Sequence, residues 1–259
     1  MNSIRISSHF VMELVRRDIQ SRYMGTLLGF FWATVAPVVT VLIFWFVFQV
    51  GFKSLPVDNV SFSVWLTVGI VPWFYIVDAL QGGTRSITSS SYLVQKMTVS
   101  TLAIPVSKVI SPMVVHLIFV LLAIILCVFY EIYPRRYWLQ SIYYFIAMSV
   151  IVLGIVMVTS ALVVFIKDVE QIVAMTVQFG FWLTPIFWSV SFLPEDYRFF
   201  IELNPFHYIV QGYRDSFLGE VWFWQRPKLT LYFWGVSAVF LSGGYFIFSR
   251  LEPHFTEDL

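Results

Sequence analysis

The chain has 259 residues, 59% hydrophobic and 12% charged, with a net charge of +1 and a mean hydropathy of +0.80. Soluble domains carry about 25% charged residues, so water is not the main solvent here, and the near-neutral balance offers no basic field for nucleic acid. The single cysteine, Cys127, excludes an internal disulfide or a cysteine-based metal framework.

The first recognisable element is a basic amphipathic helix over residues 9–24. Val11, Leu14, Val15, Ile19 and Tyr23 recur at helical spacing, while Glu13, Arg16, Arg17 and Gln20 take the other side. Such a segment lies along a membrane surface with its arginines toward anionic headgroups. It is too charged for a cleavable signal, so the chain is expected to stay whole and insert through its first span. Charge stops after Arg22, and Gly25, Gly29 and Ala33 then form a small-residue stripe at four-residue spacing. That stripe suits close helix approach, within one chain or between two.

Charge-free runs divide the rest. Six reach the roughly 20 residues that cross a hydrocarbon core of about 30 Å, giving spans near 26–50, 62–84, 106–129, 139–165, 171–192 and 229–249. The expected fold class is all-α and polytopic. An even number puts both termini on one side, and the cluster Arg5, Arg16, Arg17 and Arg22 assigns that side to the cytoplasm. Arg135 and Arg136 argue the other way.

Two connections exceed a turn. The cytoplasmic one, covering 86–105, carries a short apolar patch at Tyr92, Leu93, Val94 and Met97 beside Lys96, and Pro105 suits the first turn of the next helix. The outer one, covering 193–228, reads as two short helices. Asn204 is an N-cap, Pro205 fills the first helical position, and Phe206, Ile209, Val210, Tyr213 and Phe217 mark one face up to Gly219. It is too apolar for an exposed loop and is expected to re-enter the outer membrane half.

Catalytic patterns are missing. No GxxxxGK[ST], HExxH or glycosidase-like acid pair occurs, and the four histidines are scattered. Only Asp78 and His116 lie inside spans, which is sparse for an ion-coupled carrier. Asp78 falls 16 residues beyond Phe62, roughly 24 Å down the core and near the cytoplasmic face. A helix-packing hydrogen bond is the plain account of either residue. The distinctive material is aromatic: Trp32, Phe44 and Trp45 on the first span, Trp65, Trp73 and Phe74 on the second, and Phe179, Trp182, Phe187 and Trp188 on the fifth. Belts and lipid-facing positions absorb a share. The remainder offers flat faces that stack on the C–H faces of sugars.

Arg16–Pro37 (RRDIQSRYMGTLLGFFWATVAP) resembles the opening motif of permease subunits in bacterial polysaccharide ABC exporters, through Arg22, Tyr23, Gly25, Gly29, Trp32 and Pro37. Lys167-Asp168-Val169 is similar to that family's basic-Asp-Val turn, with Lys in place of Arg. Leu203-Asn204-Pro205 with Tyr208 and Arg214 is similar to its outer signature. The likeness is strongest to O-antigen and teichoic-acid exporters. It implies a homodimer in the bacterial cytoplasmic membrane, each copy bound to a separate ATP-binding subunit that holds ATP and Mg, with no cofactor in this chain. It further implies a channel for lipid-pyrophosphate-linked polysaccharide. Arg16, Arg17, Arg22 and Tyr23 would admit the diphosphate, and Trp32, Trp73, Phe74, Trp182, Phe187 and Trp188 would line the glycan path. Gly25, Gly29 and Ala33 would form the dimer seam, and Tyr92, Leu93, Lys96 and Met97 would meet the ATPase. Asn204, Pro205, Tyr208 and Arg214 would belong to an outer gate. A drug or small-lipid efflux permease of the same fold is the alternative, and it requires neither the aromatic lining nor the basic helix over residues 9–24, the foot of the molecule.

Overall fold

A computed structural model describes residues 8–23, 31–57, 59–96 and 101–258. In chain order, α1 is Ser8–Tyr23. α2, Trp32–Phe44, runs on as a π-helical turn Trp45–Gly51, and α3 is Phe62–Thr84. Two short helices follow, α4 (Ser86–Ser89) and α5 (Ser91–Lys96), then α6 (Ala103–Ile110) and α7 (Met113–Phe129). The remainder comprises α8 (Gln140–Phe165), α9 (Asp168–Leu183), α10 (Glu195–Glu202), α11 (Pro205–Phe217), α12 (Pro227–Leu251) and α13 (Phe255–Asp258). The chain is an all-helical polytopic membrane protein.

Among the described residues, five stretches are long and apolar enough to cross a membrane: Trp32–Gly51, Phe62–Thr84, Ala103–Phe129, Arg136–Phe165 and Pro227–Asp258. The expected span over 171–192 takes a different form. Its helix, α9, has 16 residues, or about 24 Å, and stops where Thr184 turns extended, with ψ at 129°. Pro185 is the cause, because its ring disfavours helical geometry in the preceding residue. Residues 184–192 of the expected span, nine in all, lie beyond the end of the α-helix.

α3 is the central element. It is buried on nearly every face and packs against α6, α7, α8, α9 and α11. A helix apolar all round needs such an environment. Lipid gives no hydrophobic drive for helices to associate, so close packing and hydrogen bonds hold them, the latter about 0.6 kcal/mol each. Tyr75 donates its hydroxyl to the Val109 carbonyl at 3.0 Å, and the Thr84 and Thr159 hydroxyls meet at 2.8 Å. The closest backbone approach joins α8 and α12. A Cβ on Gly244 would sit 2.5 Å from the Gly154 carbonyl oxygen, and one on Gly154 would sit 2.7 Å from the Leu241 nitrogen.

Candidate functional site

The amphipathic pattern of α1 is realised against protein. Val11 and Val15 are buried with Ala103, and Leu14, Ile19, Val106 and Ile110 pack around them. The face that the sequence assigns to a membrane surface is therefore occupied by α6. Arg16 and Arg17 are exposed, and Arg17 pairs with Glu13 at 3.3 Å.

The last turn of α1 is tied down by charge. Asp18, 7% exposed, accepts from Arg22 Nε at 3.0 Å, from Lys108 Nζ and from the Ser111 hydroxyl. Arg22 Nη1 reaches on to Asp78 Oδ2 at 2.6 Å. Burial alone would raise the Asp18 carboxyl, but the bonds from Lys108 and Ser111 and the charges of Arg22 and Lys108 hold it below its ordinary range. Burial likewise works against the Arg22 charge, and Asp78 and Asp18 outweigh it, so the guanidinium is held above its ordinary value. Arg22 is thus the keystone of a cluster joining α1, α3 and α6, whereas Arg16 and Arg17 present their charge outward. Tyr23 closes α1. The intramembrane Asp78 is explained by this pairing.

Gly25, Gly29 and Met97 lie outside the described residues. Ala33 is buried. In α5, Val94 is buried and Tyr92 is exposed, with Leu93 half-buried between them and Lys96 ending the helix.

The six aromatics of the expected path fall into separate environments. Phe187 is a hub, with ring centroids 6.1 Å from Phe44 and Phe48, 4.8 Å from Phe181 and 6.2 Å from Trp182. It fastens the end of the first span to α9. Trp188 donates its indole N–H to the Trp182 carbonyl at 3.1 Å. Trp182 and Phe179 are exposed along α9, and Trp32 is exposed on α2. Trp73 is 3% exposed and meets the Phe206 ring edge-on at 6.0 Å. Phe74 stacks on Phe119 at 4.8 Å, which commits it to α7. An apolar groove of about 700 Å³ runs between α9 and the outer hairpin, lined by Trp73, Met175, Phe179, Leu183, Phe200 and Phe206.

The outer hairpin is built as the sequence predicts at Asn204, whose side chain accepts from the Phe206 N–H at 3.0 Å with Pro205 at the first helical position. The same amide donates to Thr184 Oγ1 at 2.8 Å, which pins the hairpin to the end of α9. Tyr208 shares its hydroxyl with Tyr143 at 2.9 Å and Thr230 at 3.0 Å. Arg214 is 4% exposed. Its guanidinium lies 3.4 Å from the Trp65 ring centroid and donates to the carbonyls of Pro185 at 2.7 Å and Ile186 at 2.8 Å. Gly69 makes room for it, since a Cβ there would sit 2.5 Å from Nη2. A polar cavity of about 460 Å³ adjoins this point. Within its lining Arg226 pairs with Asp215 at 3.1 Å, and Gln211 donates to Asp215 at 2.9 Å.

Sequence reasoning passed over Asp18, Lys108 and Ser111. The i, i+4 pair Asp18/Arg22 was visible, but nothing local announces a partner 90 residues away. His116 makes the plain helix-packing bond, to the Tyr213 hydroxyl at 2.8 Å, with its ring stacked on Phe145 at 5.1 Å.

Relatives share this length. Two Klebsiella pneumoniae proteins named O-antigen export system permease protein RfbA are each 24% identical over 250 residues, covering 96% of this chain and 94% of theirs. A protein of the same name from Myxococcus xanthus is 23% identical over 252 residues, covering 96% of this chain and 95% of its own. Residues 9–218 match the ABC-2 type transporter family, a span that holds α1, the Asp18 cluster, α3 and the Arg214 contacts together, and the chain belongs to that family.

Proposed function

We propose that this chain is the channel-forming permease of an ATP-driven exporter that moves lipid-pyrophosphate-linked polysaccharide, of O-antigen type, across the bacterial cytoplasmic membrane. It works as a homodimer with two copies of a separate ATP-binding subunit, and both termini face the cytoplasm. One observation carries the mechanism. Buried α3 bears the Asp78 contact to the foot at one end and Trp65 and Gly69 against Arg214 of the outer hairpin at the other. The 13 residues from Trp65 to Asp78 make a rod of about 20 Å. Motion imposed on α1 by an ATPase below is therefore delivered to the hairpin above through a single helix.

The partner subunit supplies ATP hydrolysis. It meets the foot and the 86–105 segment. Arg16 and Arg17, turned outward on α1, receive the diphosphate, while Arg22 transmits through Asp78. The seam lies along the first span, Trp32–Gly51, and α9, where Phe46, Ile172, Met175, Phe179 and Trp182 are left exposed, and the glycan follows the rings that border it. The names of the relatives from K. pneumoniae and M. xanthus support the substrate class. Deleting the gene should leave lipid core undecorated and lipid-linked glycan trapped inside the cell, read by gel and immunoblot of surface polymer. Unchanged surface polymer refutes the reading.

A further inference from the structure

We infer that the C-terminal tail, residues 252–258, is a clamp that positions the ATPase-facing segment, with Glu252 and Phe255 as its two positioning residues. After α12 the chain turns at Glu252–His254 and folds back as α13. Glu252 Oε1 accepts from the Thr101 backbone N–H at 2.9 Å and from the Thr101 hydroxyl at 2.6 Å. One carboxylate thereby satisfies the backbone just ahead of α6, across 151 residues of sequence. Phe255 is fully buried. Its ring stands 5.4 Å from Phe248 at 84° and 6.1 Å from Phe165. It belongs to one apolar cluster with Ile87 of α4, Val94 of α5 and Leu102, and α13 packs on both α5 and α8.

Helices of four and six residues are far below the 12–15 or so at which an isolated helix becomes even marginal. The coupling helices hold their place only through tertiary contact, and the tail supplies a polar anchor and an apolar one. Because the tail continues α12, which packs along α8, force on α5 reaches the last span by a route that bypasses the Asp18 cluster. The clamp rests on the reading that the 86–105 segment meets an ATP-binding subunit.

The test uses the full chain co-expressed with its ATP-binding subunit, scoring surface polymer in cells at matched permease level and ATP hydrolysis by the purified complex in nanodiscs. E252A and F255A are each expected to lower polymer exported per ATP hydrolysed by at least about five-fold, with assembly retained. E252D, which keeps the carboxylate, and F255L, which keeps an apolar plug, should recover more than about half of the wild-type ratio. An E252A/F255A double variant that exports at the wild-type ratio overturns the clamp. So does a loss of polymer matched by an equal loss of assembled complex. If the wild-type chain retains no ATP-binding subunit, the export reading and the clamp fall together; normal wild-type assembly with indifferent variants removes the clamp alone.

Discussion

α3 carries a buried-charge contact at each end, and the two are built on opposite principles. At the end beside α1 the partners are ions: Asp18, Arg22, Lys108 and Asp78, with the Arg22 and Asp78 side chains 27% and 39% exposed. At the far end of α3 the Arg214 guanidinium is held by two backbone carbonyls and an indole face. The Arg22–Asp78 pair, partly open to water, can separate and re-form, since both members regain hydration. A guanidinium 4% exposed has no such refuge and stays with its carbonyls. The difference teaches where motion is allowed. In the proposed export cycle the hairpin is expected to travel with α3, with relative movement taken up at α1.

The sharpest way to break this contrast is at the outer end. R214M removes five N–H donors, leaves the Pro185 and Ile186 carbonyls short of partners and exposes the hollow over Gly69. It should cost about 3–5 kcal/mol, the range for breaking one side of a buried charge contact. R214K should not rescue it, because an ammonium cannot stack on Trp65 and fork to two carbonyls together. Thermal unfolding in detergent reads the loss. An R214M protein as stable as wild type would show the outer contact to be as dispensable as a surface ion pair.

D18N tests the other end and should cost less, about 2 kcal/mol, because Arg22 keeps Asp78 and the amide oxygen can still accept a hydrogen bond. Its signature is pH. The Asp18 carboxyl is depressed in the fold from an ordinary 3.8, so its contribution is complete above that value and disappears as pH falls through the folded value. The stability gap between wild type and D18N should therefore stay constant from neutral pH to about pH 5 and close on further acidification. A gap that widens in acid would mean that Asp18 is protonated in the fold.

The contrast also explains which parts of the molecule were legible in sequence. Spans were visible because loss of charge over some twenty residues is a strong, local signal. The Asn204-Pro205 start of α11 was visible because capping is decided within three residues. Asp18 was not, since its partners Lys108 and Ser111 sit on another helix, and neither was the contact of Gly154 with Gly244, two glycines on different spans that meet only once α8 and α12 pack. Arg214 was legible as part of an outer gate, but the carbonyls and indole face that hold it come from other elements and were not. For α9 the stop signal was present, in Pro185, but the apolar run beyond it hid its effect.

The smallest effect on stability, and the most telling about function, lies on the exposed side of α1. Arg17 and Glu13 form an i, i+4 pair with side chains 68% and 44% exposed, of a kind that contributes at most about 0.5 kcal/mol. R16Q/R17Q should therefore unfold with wild type, within about 0.5 kcal/mol. If these two arginines receive the diphosphate, surface polymer should nonetheless fall several-fold in the double variant. R22Q belongs with D18N instead: it should lower stability and export together, since it loosens α1 from α3. Finding R16Q/R17Q fully active, with R22Q alone defective, would move the arginines of the foot wholly to the transmission of force and place the diphosphate elsewhere.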